Sequence, residues 1–256
     1  MLLTIDVGNT NTVFALFDGD ELTHSWRCAT EKSRSVDEYA VFLNQLFELE
    51  KLSWKNISDI IISSVVPDAN FHLTKLSNKY LSTEPIFVDS ITADITIDLD
   101  QPEEIGADRL VNAVAVSSHY NLPAIVIDFG TATTFDVIDE GGVYRGGVIA
   151  PGIRLSVEAL TNRAAKLPQI NIEKPEKIIG KNTRDAMKSG MYWGYIGIIE
   201  TIINRIQNEL GKDVFVLATG GLASLYAQST DAIDQVDENL ISKGLLEIYK
   251  KIKKKN

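Results

Sequence analysis

Near the N-terminus, apolar residues come in short alternating runs rather than at helical spacing. Residues 2–5, 12–17 and 22–26 each read as a strand, and Asp18-Gly19-Asp20 supplies a hairpin turn between the last two. The pattern returns at 124–127 and 133–138, where Glu140-Gly141-Gly142 turns into a short third strand at 143–144. After the first hairpin, helical spacing over 36–49, 68–80 and 105–120 alternates with apolar strands at 60–63 and 86–88. After the second, helices are expected over 153–162, 184–210, 222–226 and 239–250, with a strand at 214–217. Helices and strands alternating around short glycine loops predict an α/β fold with mixed sheets.

The two hairpin stretches superpose at a constant offset. Ile5-Asp6-Val7-Gly8-Asn9-Thr10 lies over Ile127-Asp128-Phe129-Gly130-Thr131-Ala132, and Asp18-Gly19 falls near Glu140-Gly141. One Asp-x-Gly turn between strands is common by chance. Two in register, each with its own hairpin, indicate an internal duplication. No linker or low-complexity stretch separates the halves, so residues 1–117 and 118–256 are expected to form two half-domains sharing a long helix and an interface.

Composition narrows the class. A chain of 256 residues that is 45% hydrophobic and 23% charged can bury a core without disulfides, which excludes a disordered regulator. Cys28 is the only cysteine, and His24, His72 and His119 lack metal-ligand spacing. The N-terminus reaches Asp6 too early for a signal peptide, and no apolar run approaches the ~20 residues of a membrane span. A cytoplasmic protein with no membrane partner is therefore expected. The net charge of −10 repels phosphate backbones and argues against nucleic-acid binding. Lys250, Lys251, Lys253, Lys254 and Lys255 could form a basic arm, but such a run is more often a solvated helix end whose charge suits the helix dipole.

The duplicated turns carry the candidate chemistry. Gly8 and Gly130 allow close backbone approach, while Asn9, Thr10 and Thr131 add polar groups. Asp6 and Asp128 each end a strand and are expected to point into one cleft. Loops rich in N–H groups, with two carboxylates for a metal, suit a polyphosphate bound with Mg²⁺; plain hairpins with structural glycines are the bland alternative. Ala218-Thr219-Gly220-Gly221 follows a strand and either makes an ordinary strand–helix turn or admits a flat ring or ribose. Gly106, in Glu104-Ile105-Gly106-Ala107-Asp108-Arg109, is out of place inside a helical pattern, where it costs ~1 kcal/mol against alanine. Asp108 could accept a substrate hydroxyl proton and Arg109 could hold an anion, or both could be surface charges.

Gly146-Gly147-Val148-Ile149-Ala150-Pro151-Gly152 is expected to open a loop, and Thr183 to cap the long helix that follows Gly180-Lys181-Asn182. Within that helix Gly190, Gly194 and Gly197 share one face, which suggests close packing against another helix, with a second subunit's as a candidate.

The paired Asp-x-Gly hairpins resemble the two phosphate loops of the actin, sugar-kinase and heat-shock chaperone superfamily. More narrowly, the chain resembles the type III pantothenate kinases. The resemblance runs from Asp6-Val7-Gly8-Asn9-Thr10-Asn11 through Gly106-Ala107-Asp108-Arg109 and Asp128-Phe129-Gly130-Thr131-Ala132-Thr133. It continues through the 146–152 glycine segment, Ile179-Gly180-Lys181-Asn182-Thr183 and Ala218-Thr219-Gly220-Gly221.

The resemblance implies an α/β fold of duplicated actin-like, ribonuclease H-like half-domains, each with one phosphate loop, and ATP-dependent phosphorylation of pantothenate in coenzyme A synthesis. It places the ATP phosphates on Asp6, Val7, Gly8, Asn9, Thr10, Asn11, Thr12 and Val13, with Thr131 assisting and Gly220 and Gly221 on the nucleoside side. It makes Asp108 the proton acceptor and puts Gly106, Ala107, Arg109 and Thr183 against pantothenate. Asp128 is implied to ligate a monovalent cation, K⁺ or NH₄⁺, with Asp6 near Mg²⁺, in a homodimer. One departure is Leu99, seven residues before Gly106, where the family usually carries a tyrosine lining the pantothenate site. A non-catalytic transcriptional accessory protein on the same fold would be expected to lose Asp108 or Asp128 and to be basic. Another small-molecule kinase of the superfamily would leave Gly-Ala-Asp-Arg unexplained.

Overall fold

The alternating N-terminal pattern produces three antiparallel strands, β1 (Leu2–Val7), β2 (Asn11–Asp18) and β3 (Glu21–Ala29), in a computed structural model that describes residues 1–164 and 167–255. Two strands from later in the chain, β4 (Asp59–Ser64) and β5 (Ile86–Phe87), add in parallel on the other side of β1, in the order β3-β2-β1-β4-β5. Period-2 alternation splits β1 between the two faces. Leu3, Ile5 and Val7 pack with α1 (Val36–Leu49) and α2 (Pro67–Leu81), whereas Leu2 packs with α3 (Ala107–His119). Helix α1 starts where the pattern predicts because Ser35 and Glu38 form a reciprocal capping box.

The second unit, Asn121–Asn239, repeats this plan. Strands β6 (Ala124–Phe129), β7 (Ala132–Ile138) and β8 (Tyr144–Pro151) are antiparallel. The order is completed as β10-β9-β6-β7-β8 by β9 (Phe215–Gly220), parallel to β6, and β10 (Gln235–Val236), parallel to β9. The repeat in sequence is thus a repeat of topology. Its core packs β6 and β9 against α5 (Thr183–Leu210) and α6 (Ala223–Ala227), with Ile153 and the rest of α4 (Ile153–Arg163) alongside.

Four expectations need correction. Helix α3 begins at Ala107, so Gly106 is its N-cap and not an interior residue. Residues 146–151 are strand and not loop: a Cβ at Gly147 would overlap the Phe135 carbonyl, so only glycine lets β8 lie this close to β7. Asn182, not Thr183, caps α5, its side chain accepting the Asp185 N–H at 2.9 Å. The chain's last helix, α7 (Leu240–Lys255), does not belong with residues 118–239 but completes the first unit. Leu245, Leu246 and Ile248 enter the core with Leu2, Phe17 and Val111, and the missing side chain of Gly244 admits the Val111 carbonyl of α3.

The lysine run rides on that helix. Lys250 pairs with Asp20 at 2.7 Å, Lys253 with Asp59 at 2.9 Å and Lys255 with Asp94 at 2.9 Å, while Tyr249 donates to Asp59 at 2.8 Å. It is the solvated end of a helix, as expected, and acids of the same unit face it.

Candidate active site

In the first unit the candidate residues gather at the C-terminal edge of β1 and β4. Asp6 is the Cα partner of Ser63, and strand alternation puts both on the sheet face that α3 covers. The loop after β1 is closed by the Gly8 N–H donating to the Asn11 carbonyl at 3.0 Å. Beside it, the Val65 N–H donates to the Val7 carbonyl at 3.1 Å. Val65 also reaches the other motif, for its Cγ1 lies 3.6 Å from where a Cβ of Gly106 would stand. Residues 63–65 therefore join the Asp6–Asn11 loop to the Gly106-Ala107-Asp108-Arg109 turn.

Asp108 folds back over the start of α3. Its Oδ1 accepts the Arg109 backbone N–H at 2.8 Å. Burial pushes its carboxyl above the usual carboxylate range, while that N–H and the Arg109 charge pull the other way. A base tuned upward in this way is suited to taking a proton near neutral pH. Gly106 leaves room for that placement: a Cβ would sit 2.5 Å from Oδ1 of Asp108 and would displace the carboxylate.

Thr12 stands at this edge, opposite Val7, but on the other face. Its hydroxyl is buried against Thr30, 2.9 Å away, on the sheet face opposite Asp6, so its side chain is not available to a phosphate. Leu99 is half-buried in the bend that precedes the 3-10 turn Pro102–Glu104.

In the second unit Asp128, Gly130, Thr131 and Gly220 come together. The Gly130 N–H closes the loop onto the Ala132 carbonyl at 3.0 Å, as Gly8 closes the first, but across a turn one residue shorter. Gly220 ends β9 beside Asp128 with φ +90°, and a Cβ on it would stand 2.7 Å from Oδ1 of Asp128 and 2.8 Å from the backbone of Phe129. Gly152 donates its N–H to the Thr131 carbonyl at 3.1 Å and leaves no room for a side chain there. Around Gly221, by contrast, a Cβ would meet nothing within 4 Å. Thr183 is exposed at the first turn of α5.

The donor set at both loops is hard oxygen. Among the described residues no group of three or more histidine, cysteine, aspartate or glutamate side chains could hold a metal unaided. That fits a cation held by one carboxylate with the remaining ligands from phosphate oxygens and water, as Mg²⁺ is with nucleotides.

The model of the type III pantothenate kinase family matches residues 2–205. The chain belongs to that family. It is 52% identical over 253 residues to the type III pantothenate kinase of Paramagnetospirillum magneticum, covering 98% of this chain and 97% of that one. It is also 52% identical to the type III pantothenate kinase of Rhodospirillum rubrum, covering 98% of each. A solved structure of a Baf family protein from Campylobacter jejuni, described as a transcriptional activator, superposes with a TM-score of 0.62 at 20% identity. It covers 98% of this chain and 99% of that one, a likeness of fold. Membership of the family makes the protein an ATP-dependent phosphotransferase acting on pantothenate, and ATP with Mg²⁺ is what such kinases use. No described helix is long and apolar enough to cross a membrane.

Several residues beside the two candidate loops were not singled out by the sequence. Ser63 is fully buried beside Asp6, and its hydroxyl has no hydrogen-bond partner among the described residues. Val65 bridges two motifs, and Tyr195 and Thr133 lie behind the second loop. The signal available for Ser63 is a serine on the heels of the apolar run Ile60-Ile61-Ile62 in β4.

Proposed function

We propose that the protein transfers the γ-phosphoryl group of ATP to the primary hydroxyl of pantothenate, the first step of coenzyme A synthesis, with Asp108 as proton acceptor. The observation that carries this assignment is the carboxylate of Asp108, raised by burial and held in place by the Arg109 N–H. With that bond holding the carboxylate, Asp108 would orient the hydroxyl and take its proton during in-line attack. The Arg109 guanidinium would hold the pantothenate carboxylate, with Gly106, Ala107, Thr183 and Leu99 lining the substrate.

The N–H groups and polar side chains of residues 6–11 would hold the phosphates, with Thr131 assisting, and Gly220 and Gly221 would border the nucleoside. Thr12 contributes through its backbone at most, since Thr30 takes its hydroxyl. Asp6 would hold Mg²⁺ through its water shell, and Asp128 a monovalent cation, K⁺ or NH₄⁺. These ions would offset charge on the transferring group. Fixed N–H groups and pre-placed carboxylates supply most of what phosphoryl transfer needs, since the reaction depends on positioning more than on covalent chemistry.

A homodimer in the cytoplasm completes the proposal. Gly190, Gly194 and Gly197 form an exposed stripe on α5, and a Cβ at any of them would meet nothing within 4 Å. Three helical glycines cost ~1 kcal/mol each relative to alanine. A helix of a second copy packing on that stripe is a reason to keep them. Sedimentation should give a dimer, and a monomer would remove that role.

The deciding assay is ADP release from ATP and Mg²⁺, with and without pantothenate, in potassium and then sodium buffer. Pantothenate-dependent turnover that needs potassium is expected. ATP binding without such turnover would sink the substrate assignment and point first to Leu99.

A further inference from the structure

Behind the second loop a single phenol holds both of the loop's flanks. The Tyr195 hydroxyl donates to the Pro151 carbonyl at 2.9 Å and lies 2.5 Å from Oγ1 of Thr133. A phenol has one proton. With that proton committed to Pro151, the Thr133 hydroxyl must be the donor of the second bond. Both residues are almost wholly buried.

These two partners frame the loop. Thr133 follows it on β7, opposite Phe129, and Pro151 ends β8 opposite Ala132. The next residue, Gly152, donates to the Thr131 carbonyl at 3.1 Å. A closed circuit therefore runs from Thr133 through Tyr195, Pro151 and Gly152 to Thr131. Tyr195 also stands on α5, the helix that begins with Thr183. Packing does not require its oxygen: the ring tilts against Tyr226 with centroids 5.4 Å apart, a contact phenylalanine would keep. Yet a buried hydroxyl is tolerated only where it is bonded, and here both of its bonds go to the strands that flank the loop.

We propose that Tyr195 is a positioning residue for phosphoryl transfer, fixing the Thr131 loop against α5 so that its polar groups meet the ATP phosphates without rearrangement. It acts through Thr131 and touches no reacting atom. The proposal rests on the assignment of residues 128–131 to the ATP side of the site.

The test compares the parent enzyme with Tyr195→Phe, Thr133→Val, Thr133→Ser and the Tyr195→Phe/Thr133→Val double variant. Kd for Mg·ATP is read by calorimetry, and KM for ATP and for pantothenate by steady-state kinetics. Tyr195→Phe should weaken ATP about three- to tenfold, the span of one lost hydrogen bond, with KM for pantothenate unchanged. Thr133→Ser should match the parent, and the double variant should be no worse than the poorer single one.

A merely structural role would lower the melting temperature and the active fraction while leaving Kd and both KM values alone, and that result overturns the proposal. Additive effects of the two single changes overturn it as well. If Tyr195→Phe does not fold, Thr133→Val against Thr133→Ser decides the question in its place. A parent that binds ATP without phosphorylating pantothenate defeats the substrate assignment only, because the calorimetric comparison still decides for or against Tyr195.

Discussion

A Cβ on Gly106 would stand 2.5 Å from Oδ1 of Asp108, the oxygen that accepts the Arg109 N–H. The glycine of the Gly-Ala-Asp-Arg motif therefore makes room for the carboxylate two residues on. Gly106→Ala should turn Asp108 out of its place and lower kcat by roughly 10²-fold, the scale of a 1 Å misplacement. Its melting temperature should stay close to that of the parent. Steady-state kinetics beside thermal unfolding would check both halves of the expectation.

Asp108→Asn should lower kcat by about 10²–10⁴-fold with ATP affinity near normal, because general-base steps contribute on that scale. A kcat within threefold of the parent would mean that another group takes the proton.

The same carboxyl gives a stability signature with a definite sign. Its folded pKa is raised by burial above the ordinary value of about 3.9. Between those two values the folded state binds more protons than the unfolded one, so stability falls as pH rises through the window. Above that window the ionised Asp108 is thus a destabilising group. Asp108→Asn should melt higher than the parent at pH 7, with the difference vanishing below pH of about 4. In the parent, the acid limb of kcat/KM should lie above that of an unperturbed aspartate.

Two adjacent glycines should behave oppositely. Gly220 has φ +90° and abuts Asp128 and Phe129, whereas a Cβ on Gly221 meets nothing within 4 Å. Gly220→Ala should destabilise the second unit and raise KM for ATP, while Gly221→Ala should leave the melting temperature unchanged. Scanning calorimetry and ATP kinetics on the pair would test it.

Helix α7 should be indispensable to the unit it joins. Gly244→Ala drives a methyl into the Val111 carbonyl of α3 and should destabilise by about 1–3 kcal/mol. A chain ended after Asn239 should lose the cooperative melting of the first unit, because Leu2, Phe17 and Val111 lose their cover. Lys253→Ala removes only a half-exposed ion pair and should change little.

Local signals carried a good deal of this. The alternating runs, Asp18-Gly19-Asp20 and the spaced apolar residues of 36–49 are short-range patterns, and β1, β2 and α1 form where they point. The register of the two Asp-x-Gly loops announced the duplicated topology and the paired loop closures at Gly8 and Gly130. What failed locally failed for a physical reason. The apolar spacing of 105–120 runs through Gly106, yet spacing alone does not show a carboxylate folding back to occupy that glycine's side-chain space. Residues 146–151 look like a glycine loop because nothing nearby in sequence reveals that β7 lies flat against them.

Most of the elements, the duplication, the family and the residue types that phosphoryl transfer needs are legible in the sequence, because each depends on neighbours a few positions apart or on an ordered set of motifs. The return of α7 to the first unit and the turning of the Thr12 hydroxyl from the Asp6 face toward Thr30 emerge with the folded chain. It alone brought Ser63 beside Asp6 and Tyr195 to Thr133 and Pro151. Those facts depend on sheet register and on contacts between residues far apart in the chain, and a one-residue slip in either strand pairing would reverse every face assignment that local pattern leaves open.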